Sequence, residues 1–541
     1  MAAHIEAAPD LHCVVNFVPT LTAQLLDYCE QFKSGQLRDP LLQALISDNL
    51  SALPARQKRH LIEQCFKVNH ATMLDPFPAY KRLHALWQTL HAASDSTSTS
   101  VREGELAYFA DHYLSEQYLA DLVTWYHLVW TGETVRRARP DLLALIQQGE
   151  GFSQHDRRAL FDLYGEVIAN LLPRYRCMAD RGQIELSATP HSHPILPLLL
   201  DFQAARDVHP DLNLPKAAAY PGGAARAQAH IDAAIQSHQS QFGFRPVGFW
   251  PAEGGVSDAA IHMISDAGLK WAASGEGVLR NSLAAAHFNL AQHDIAHKAA
   301  WSCKPYQLPD TQTALFFRDD HLSDLIGFEY KNWHGRDASR HFVHALDEVR
   351  RQSAAANPIV SIILDGENAW EYFPFNGYYF LSDLFTELIE HATIRTTTFS
   401  DYLDVFPQAV AHLPHLVAGS WVYGDFCTWM GDAAKNRGWD WLVAAKHAYD
   451  AAIDGLSFSD QENAEALLKS CESSDWFWWF GDYNPADAVV SFDRVYRQKL
   501  QRLYETLGVS APEYLQHPLC QSDAAARHWA EAGGVMRRGA T

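Results

Sequence analysis

Four carboxylates stand out in the sequence because each lies at or near the end of a short apolar run that predicts a buried β-strand. Glu185 lies in GQIELSATP, Glu253 in RPVGFWPAEGG, and Glu276 comes shortly after the run that starts at Leu269. Asp365 follows the run VSIIL and opens DGE, so the strand ends abruptly on acids. Carboxylates in such places can act as general acids, general bases or nucleophiles.

The shared position of these acids predicts where they meet. The carboxyl ends of all strands in a parallel barrel lie on one rim, so residues far apart in the sequence converge there. Paired acids on such a rim suit glycoside cleavage, in which one carboxylic acid protonates the leaving oxygen and one carboxylate attacks the sugar or activates water. For any single acid, the alternative is a helix N-cap or an ion-paired rim residue. The occurrence of four in register favours the catalytic interpretation.

Aromatic residues are dense beside the acids. Sugar rings have apolar C–H faces and a fringe of hydroxyls, so aromatic platforms next to carboxylate acceptors are typical of a glycan cleft. Trp250 and Trp421 each adjoin a glycine-containing acidic turn and are predicted to line the site. We expect at least half of the aromatics near the acids to belong to the hydrophobic core. Besides Trp250 and Trp421, the aromatics near the acids are Phe249, Trp370, Tyr372, Phe373, Tyr423, Trp429, Trp476, Trp478 and Trp479.

Other catalytic chemistries are disfavoured. His191 and His193 in PHSHP are two positions apart and the sequence has no H-E-x-x-H motif, so hydrogen bonding to substrate or backbone is favoured over metal ligation. Neither Ser420 nor Cys427 has a recognisable base, and G-x-S-x-G is absent. The nucleotide-binding motifs G-x-G-x-x-G and G-x-x-x-x-G-K-[ST] are also absent. We therefore predict neither a metal nor a cofactor.

From about residue 180 the sequence alternates short predicted strands with helices. Strands are predicted in GQIELSATP, RPVGFWPAEGG, Leu269–Ala273, PIVSIILDGEN and TIRTTTFSDYL, and a helix in DAAIHMISDAGL. Strand, helix and strand in that order form parallel units. The pattern predicts an α/β fold with a parallel barrel or an open doubly wound sheet, and the absence of nucleotide motifs favours the TIM-like barrel.

The regions on either side of these units are predicted to be helical. HCVVNFVPTL predicts a short strand closed by Pro19, after which residues 20 to about 175 have mostly helical periodicity. We interpret this region as a long helical insertion, with a Ser/Thr-rich surface linker at residues 93–105. The predicted domains are a catalytic barrel over residues 1–404 and a C-terminal helical domain over residues 405–541 that completes the cleft.

The composition limits the partners of the protein. Its 541 residues include 43 basic and 64 acidic ones, and the net charge of −21 disfavours nucleic acid and anionic membranes. Eight cysteines are scattered without a C-x-x-C pair, as expected in a reducing compartment. No apolar stretch reaches transmembrane length, and the N-terminus lacks the features of a signal peptide. We predict a soluble cytoplasmic protein, and make no prediction of its oligomeric state.

Four longer motifs resemble the second to fifth signature regions of glycoside hydrolase family 57, the α-amylase and amylopullulanase-like group. They are GQIELSATPHSHPILPLL, GFWPAEGGVS, ILDGENAWEYFPFNG and GSWVYGDFCTWMGDAAKNRGWD. FFRDDHLSDLIGFEY and SDWFWWFGD also look like this family. The resemblance implies a (β/α)7 barrel followed by a helical domain, and action on an α-glucan oligo- or polysaccharide.

The same resemblance implies roles for individual residues. Glu253 matches the nucleophile and Asp365 the general acid/base of the family motifs. Glu185, His193 and Asp425 match positions that are expected to line the sugar sites.

Two further acids complete the predicted site. Glu276 is included among the substrate-binding residues because it follows a predicted strand. Glu367 lies two residues beyond Asp365 and would point to the same side of a continued strand, so it is the rival acid. The turn at Gly366 favours Asp365.

One departure from the family concerns the first strand. The family's first signature, a His-Gln-Pro segment on the first barrel strand, is absent, and the sequence begins at what looks like the helix after it. We expect either that Met1 is an internal methionine of a longer reading frame or that this protein lacks the strand. A barrel without that strand exposes two unpaired edges.

Three functions are consistent with the sequence. The leading hypothesis is a retaining α-glucan hydrolase that works by double displacement. The first alternative is a transglycosylase, either a 4-α-glucanotransferase or a branching enzyme, which uses the same acids. The second is a non-catalytic α-glucan-binding protein, if the missing strand is natural.

Overall fold

The computed structural model describes residues 1–95, 114–290, 295–353, 355, 357–366, 370–481 and 483–520. A sheet of seven strands organises the chain, in the order β1-β2-β3-β4-β6-β5-β7. The strands are β1 (Cys13–Phe17), β2 (Ile184–Ala188), β3 (Gly248–Phe249), β4 (Trp271–Gly275), β5 (Tyr306–Gln307), β6 (Ala314–Arg318) and β7 (Ala411–His412). All neighbours are parallel except β5 and β6. In the described part of the chain, β1 and β7 are not paired with each other.

Alternation along the strands separates an inner from an outer side of the sheet. On the inner side Trp271 and Phe316 pack with Phe399, whose ring lies 4.1 Å from that of Phe316, centroid to centroid. The intervening residues, such as Ala272 and Leu315, pack against the helices outside. The inner side is therefore filled by aromatic side chains at the level of these residues.

Two predicted strands are wrong. Residues 359–364 form only one bridge to the sheet, between Ser361 and Arg318. The reason is that β5, a strand not predicted from the sequence, already pairs with Ala314 and Leu315 in the first half of β6. The segment TIRTTTFSDYL contains no strand, and Thr396 Oγ1 accepts a hydrogen bond from the His12 N–H at 3.0 Å.

Helices fill the region between β1 and β2 and build their own hydrophobic core. Leu45, Ile62, Trp125 and Leu160 are fully buried in it. The longest helix begins at a capping box formed by Ser153 and Asp156. The α-helices are Pro19–Ser34, Pro40–Ile46, Ala55–Cys65, Pro78–Asp95, Glu116–Trp130, Glu133–Ala138, Pro140–Gln148 and Gln154–Asp180. Most of the predicted linker at residues 93–105 lies outside the described residues.

A short helix, Ala2–Glu6, precedes β1. The helices that accompany the other strands connect or cover the sheet. They are Leu196–Leu200, Gly223–Phe242, Asp258–Asp266, Glu276–Ala285, Ile295–Ser302, Asp320–Asp324, Gly335–Gln352, Tyr378–Glu390 and Phe399–Val405.

The C-terminal part of the chain is helical after the last strand. Its helices are Ala433–Ala452, Phe458–Cys471, Ser474–Trp479 and Ala486–Thr506. Trp439 stacks on Phe477 at 4.0 Å between ring centroids, in a core shared with residues 195–205. Because β7 belongs to the sheet, the sheet extends beyond the predicted domain boundary at residue 405. Among the described helices, none has the length and apolarity needed to span a membrane.

Candidate active site

The candidate site lies past the C-terminal ends of β3, β4 and β6, where the loop around Trp421 packs against them. Gly275 at the end of β4 permits this approach, since a Cβ there would lie 2.5 Å from the Trp421 Cα. Val256 and Gly419 form an antiparallel bridge, and the Trp421 N–H donates to the Glu253 carbonyl at 3.1 Å. The loop after β3 and the loop after β7 are thus fixed against each other.

Glu253 has a strained backbone and a half-buried carboxylate. Its φ of 57° and ψ of 25° lie in the left-handed region, where non-glycine residues are uncommon and where strain often marks functional positions. Glu253 Oε2 accepts a hydrogen bond from Trp421 Nε1–H at 3.0 Å, and Oε1 lies 3.9 Å from His193 Nδ1. A carboxylate oriented in this way is suited to act as a nucleophile.

His193 is held from the C-terminal part of the chain. Ser192 and His193 both have a φ of 61°, so two consecutive non-glycine residues are left-handed. The His193 carbonyl accepts from the Ser474 N–H at 2.9 Å, and His193 Nδ1 lies 2.8 Å from Ser474 Oγ. The helix Ser474–Trp479 therefore fixes the histidine that faces Glu253.

A buried network of charges lies behind this histidine. Glu472 is fully buried and accepts hydrogen bonds from Tyr220 Oη at 2.6 Å and from Arg226 Nε and Nη2 at 2.8 Å, and it lies 2.7 Å from His230 Nε2. His230 Nδ1 in turn contacts the His191 carbonyl. Burial opposes ionisation of Glu472, but the hydrogen bonds of His230 and Arg226 outweigh it and lower its pKa to about 2. The network ties the His191 loop to the C-terminal helices.

Arg318 links the aromatic side of the site to the chain before Asp365. Its guanidinium carbon lies 5.5 Å from the centroid of the Trp421 ring. Arg318 Nε also donates to the Ile363 carbonyl at 2.9 Å. Asp365 follows Ile363 by two residues, so Arg318 restrains the backbone just before this acid.

The two tryptophans predicted to line the site contact each other. The rings of Trp250 and Trp421 are 5.1 Å apart and lie edge to face at 74°. Trp421 is 8% exposed, and with Arg318 also on its ring it has little surface left for stacking on a sugar. Its clearest contact is the N–H donated to Glu253. Trp250 is only partly buried and stays a candidate sugar platform.

Comparison with known proteins assigns the family. Residues 55–414 match the family model described as glycosyl hydrolase family 57. The chain belongs to this family. Glu253 and Asp365 lie within the matched region, whereas Trp421 and Asp425 come after it. The resemblance drawn from the sequence motifs is confirmed, and with it the (β/α)7 barrel fold.

Two solved structures share the fold at low sequence identity, and the first of them is described as a family 57 enzyme. A branching enzyme, TK1436 from Thermococcus kodakaraensis, is 13% identical with a TM-score of 0.53, covering 93% of this chain and 83% of its own. The α-amylase AmyC from Thermotoga maritima is 12% identical with a TM-score of 0.51, covering 95% of this chain and 88% of its own. Among curated proteins, none matches the sequence.

Glu276 lies on the same rim of the family 57 barrel but is already ion-paired. Its Oε2 lies 2.8 Å from Lys298 Nζ and accepts the Asp320 N–H at 3.2 Å. Lys298 also binds Asp319 at 3.0 Å. Burial, with a contribution from Glu276, raises the pKa of Asp320 to about 6 although Arg318 opposes it. These contacts support the alternative interpretation of Glu276 as an ion-paired rim residue.

Glu185 does not lie at a strand end, so that expectation was wrong. It is the second residue of β2, and its carboxylate accepts hydrogen bonds from Trp271 Nε1 and from the backbone and hydroxyl of Ser400. The period of two in a strand fixes which face a side chain occupies, but not its depth along the sheet. The structure thus places Glu185 among the inner aromatic residues.

Asp425 is buried and contacts both its own loop and the segment that carries His209. Its Oδ1 accepts the Cys427 N–H at 2.8 Å, and its Oδ2 lies 2.9 Å from His209 Nε2. Burial and the charge of Asp425 raise the pKa of the Cys427 thiol to about 12. The role of Asp425 in lining a sugar site stays a prediction.

Several other predicted features have mixed outcomes. Phe249, Phe373, Trp429 and Trp476 are core residues, as expected for part of the aromatic set. Glu367 lies outside the described residues.

Two residues of the site were not singled out from the sequence. Arg318 is the last residue of β6, so applying the strand-end criterion to cations as well as to acids identifies it. Ser474 has no comparable signal, because only the fold brings it to His193, 281 positions away.

Proposed function

We propose that this family 57 protein is a retaining α-glucan hydrolase with Glu253 as nucleophile and Asp365 as general acid/base. The observation that carries the proposal is the strained Glu253, whose carboxylate is bound by Trp421 Nε1–H and faces His193. The contacts of Arg318 support Asp365 as its partner. We assign substrate contacts to Trp250, His193 and Asp425.

The proposed reaction has two displacements. Glu253 attacks the anomeric carbon while Asp365 protonates the departing glycosidic oxygen, which leaves a covalent glycosyl-enzyme. Asp365, now a carboxylate, removes a proton from water, and the water oxygen displaces Glu253. The Trp421 N–H holds one carboxylate oxygen of Glu253 throughout, so little reorganisation is needed on attack.

A transglycosylase is the second candidate, because the solved structures similar to this chain include a branching enzyme. In that case a sugar hydroxyl replaces water in the second displacement. Incubation with maltoheptaose, amylose and pullulan, followed by chromatography, separates the outcomes. Shorter sugars alone indicate hydrolysis, and redistributed or branched chains indicate transfer. Unchanged substrates from a folded protein that binds them indicate a non-catalytic binding protein.

Azide rescue tests Glu253 directly. We expect Glu253→Ala to abolish turnover, and azide to restore cleavage with a glycosyl azide of inverted anomeric configuration as product, because azide replaces the lost nucleophile. Glu462→Ala, at an exposed position of the C-terminal helices, is the matched control and keeps wild-type turnover. Near-wild-type turnover by Glu253→Ala contradicts the assignment.

We also propose a cytoplasmic location. All eight cysteines are free thiols in the structure, which supports a reducing compartment. Localisation of the tagged protein by fractionation tests this.

A further inference from the structure

A cluster of three potential metal ligands lies beside the candidate active site. His209, Asp425 and Cys427 each offer one ligand atom, and these atoms lie within 4.8 Å of one another. Neither histidine of the PHSHP motif belongs to such a group within the residues that the structure describes. His209 comes from the segment after β2, whereas Asp425 and Cys427 come from the loop after β7, so only the fold assembles the cluster.

The backbone around the three side chains is already fixed. The Cys427 N–H donates to Asp425 Oδ1 at 2.8 Å, and Ser420 Oγ donates to the Asp425 carbonyl at 2.9 Å. The segment that carries His209 is joined to the same loop, because Asp207 Oδ2 accepts the Ala418 N–H at 3.0 Å. Ligands on a restrained backbone lose little conformational freedom when they bind a cation.

Exposure and geometry suit a small cation from solvent. The Asp425 side chain is 9% exposed, whereas that of His209 is 48% exposed and can rotate to admit an ion. His209 Nε2 and Asp425 Oδ2 are 2.9 Å apart in a hydrogen bond. Two ligands on one tetrahedral ion with bonds of about 2.0–2.2 Å lie roughly 3.3–3.6 Å apart, so the exposed imidazole must rotate outward by a fraction of an ångström to admit the ion. The thiol sulfur lies within 4.8 Å of both other ligand atoms. Rotation of the Cys427 side chain must then bring the sulfur to about 2.3 Å from the ion.

We propose that His209 Nε2, Asp425 Oδ2 and Cys427 Sγ form a binding site for Zn²⁺. Imidazole, thiolate and carboxylate are all zinc ligands, whereas Mg²⁺ and Ca²⁺ require oxygen ligands. The thiol gives its proton to the buffer as its sulfur binds, and the thiolate and carboxylate charges then balance the dication. A water molecule takes the fourth position, because this group supplies three protein ligands.

The proposed ion has a consequence for catalysis that rests on the proposed function. Asp425 is four residues from Trp421, which binds Glu253, and is itself assigned to a sugar contact. A zinc ion on Asp425 removes that acceptor from the substrate, so we expect zinc to inhibit glucan turnover and not to support it.

Cobalt substitution tests the site without reference to activity. We expect one equivalent of Co²⁺ to give a thiolate-to-cobalt charge-transfer band, and one equivalent of Zn²⁺ to abolish it by displacement. We expect Cys427→Ser to remove the band. His209→Ala should weaken metal binding by at least about tenfold, because loss of a residue that only supports a ligand already costs about that much affinity. Cys177→Ser, at an exposed cysteine, is the matched control and keeps the band. Circular dichroism establishes that each variant is folded.

The outcomes separate the metal site from the proposed function. A wild-type protein without a charge-transfer band, or a band that persists in Cys427→Ser, overturns the site. A band that depends on Cys427 and His209 supports the site even if the protein cleaves no glucan. If the protein cleaves glucan and zinc inhibits it, Cys427→Ser should be less sensitive to zinc than Cys177→Ser.

Discussion

Ser474 holds His193 at two points, donating its N–H to the His193 carbonyl at 2.9 Å and placing its hydroxyl 2.8 Å from His193 Nδ1. We predict that Ser474→Ala lowers turnover of glucan by roughly 2–10-fold, the equivalent of one neutral hydrogen bond. The physical reason is that the histidine loses a contact that sets its orientation toward Glu253. Steady-state kinetics over a pH series measures the effect, because a changed environment of His193 alters the pH profile. Ser459→Ala, exposed on a neighbouring helix, is the control; an unchanged Ser474→Ala profile contradicts the prediction.

Trp421 is predicted to act through its N–H and not through stacking. Trp421→Phe keeps an aromatic ring but cannot donate to Glu253, so we expect turnover to fall by about 10–100-fold, as for loss of a hydrogen bond to a charged group. Sugar binding, measured by calorimetry, should change little. Trp333→Phe, at a tryptophan that is 41% exposed, provides the comparison. Weaker binding with unchanged turnover would show instead that Trp421 is a sugar platform.

Asp365 is predicted to supply the proton for the leaving group. Asp365→Ala should reduce kcat/KM for natural glucan far more than for an aryl glycoside with a good leaving group, because only the poor leaving group requires protonation. The two activities are compared in one preparation, with Asp404→Ala as the control at a largely exposed acid. The same selectivity in Glu367→Ala, and not in Asp365→Ala, transfers the role to the rival acid.

Glu472 is predicted to stabilise the fold in a pH-dependent manner. Its pKa in the folded protein is about 2, below the ordinary 4.5, so its contribution is present above pH 4.5 and is lost as the pH falls toward 2. Glu472→Gln should lower the free energy of unfolding by roughly 3–5 kcal/mol at neutral pH, because it leaves Arg226 and His230 without their buried anion. Urea denaturation of both proteins at pH 7 and pH 3 measures the difference. A difference that does not shrink at the lower pH contradicts the assignment.

Glu276 is predicted to stabilise the rim and not to bind substrate. Glu276→Gln should lower the free energy of unfolding by about 1–3 kcal/mol, because Lys298 loses a charged partner. KM and kcat should stay at wild-type values. Denaturation and kinetics on the same variant decide the matter, since a raised KM without loss of stability shows that Glu276 contacts the sugar.

The sequence by itself determined the family and several of the elements of the fold. The motifs around Glu253 and Asp365 identified the family, and apolar runs before Glu253 and Glu276 correctly predicted the strands that lead to the rim. Helical periodicity predicted the helices Pro19–Ser34 and Glu116–Trp130 equally well. These features are local, because they depend on the spacing of apolar residues within one element.

Tertiary structure alone decided the contacts between distant segments. Residues 359–364 have a strand-like sequence, yet β5 occupies the half of β6 with which they could pair, and no local pattern records that competition. Glu185 lies on the inner side of β2, at a depth along the sheet that depends on the register with β1 and on Ser400. Ser474 reaches His193 only because the C-terminal helices pack on the barrel. Periodicity fixes the face of a residue, whereas its partners depend on the packing of whole elements.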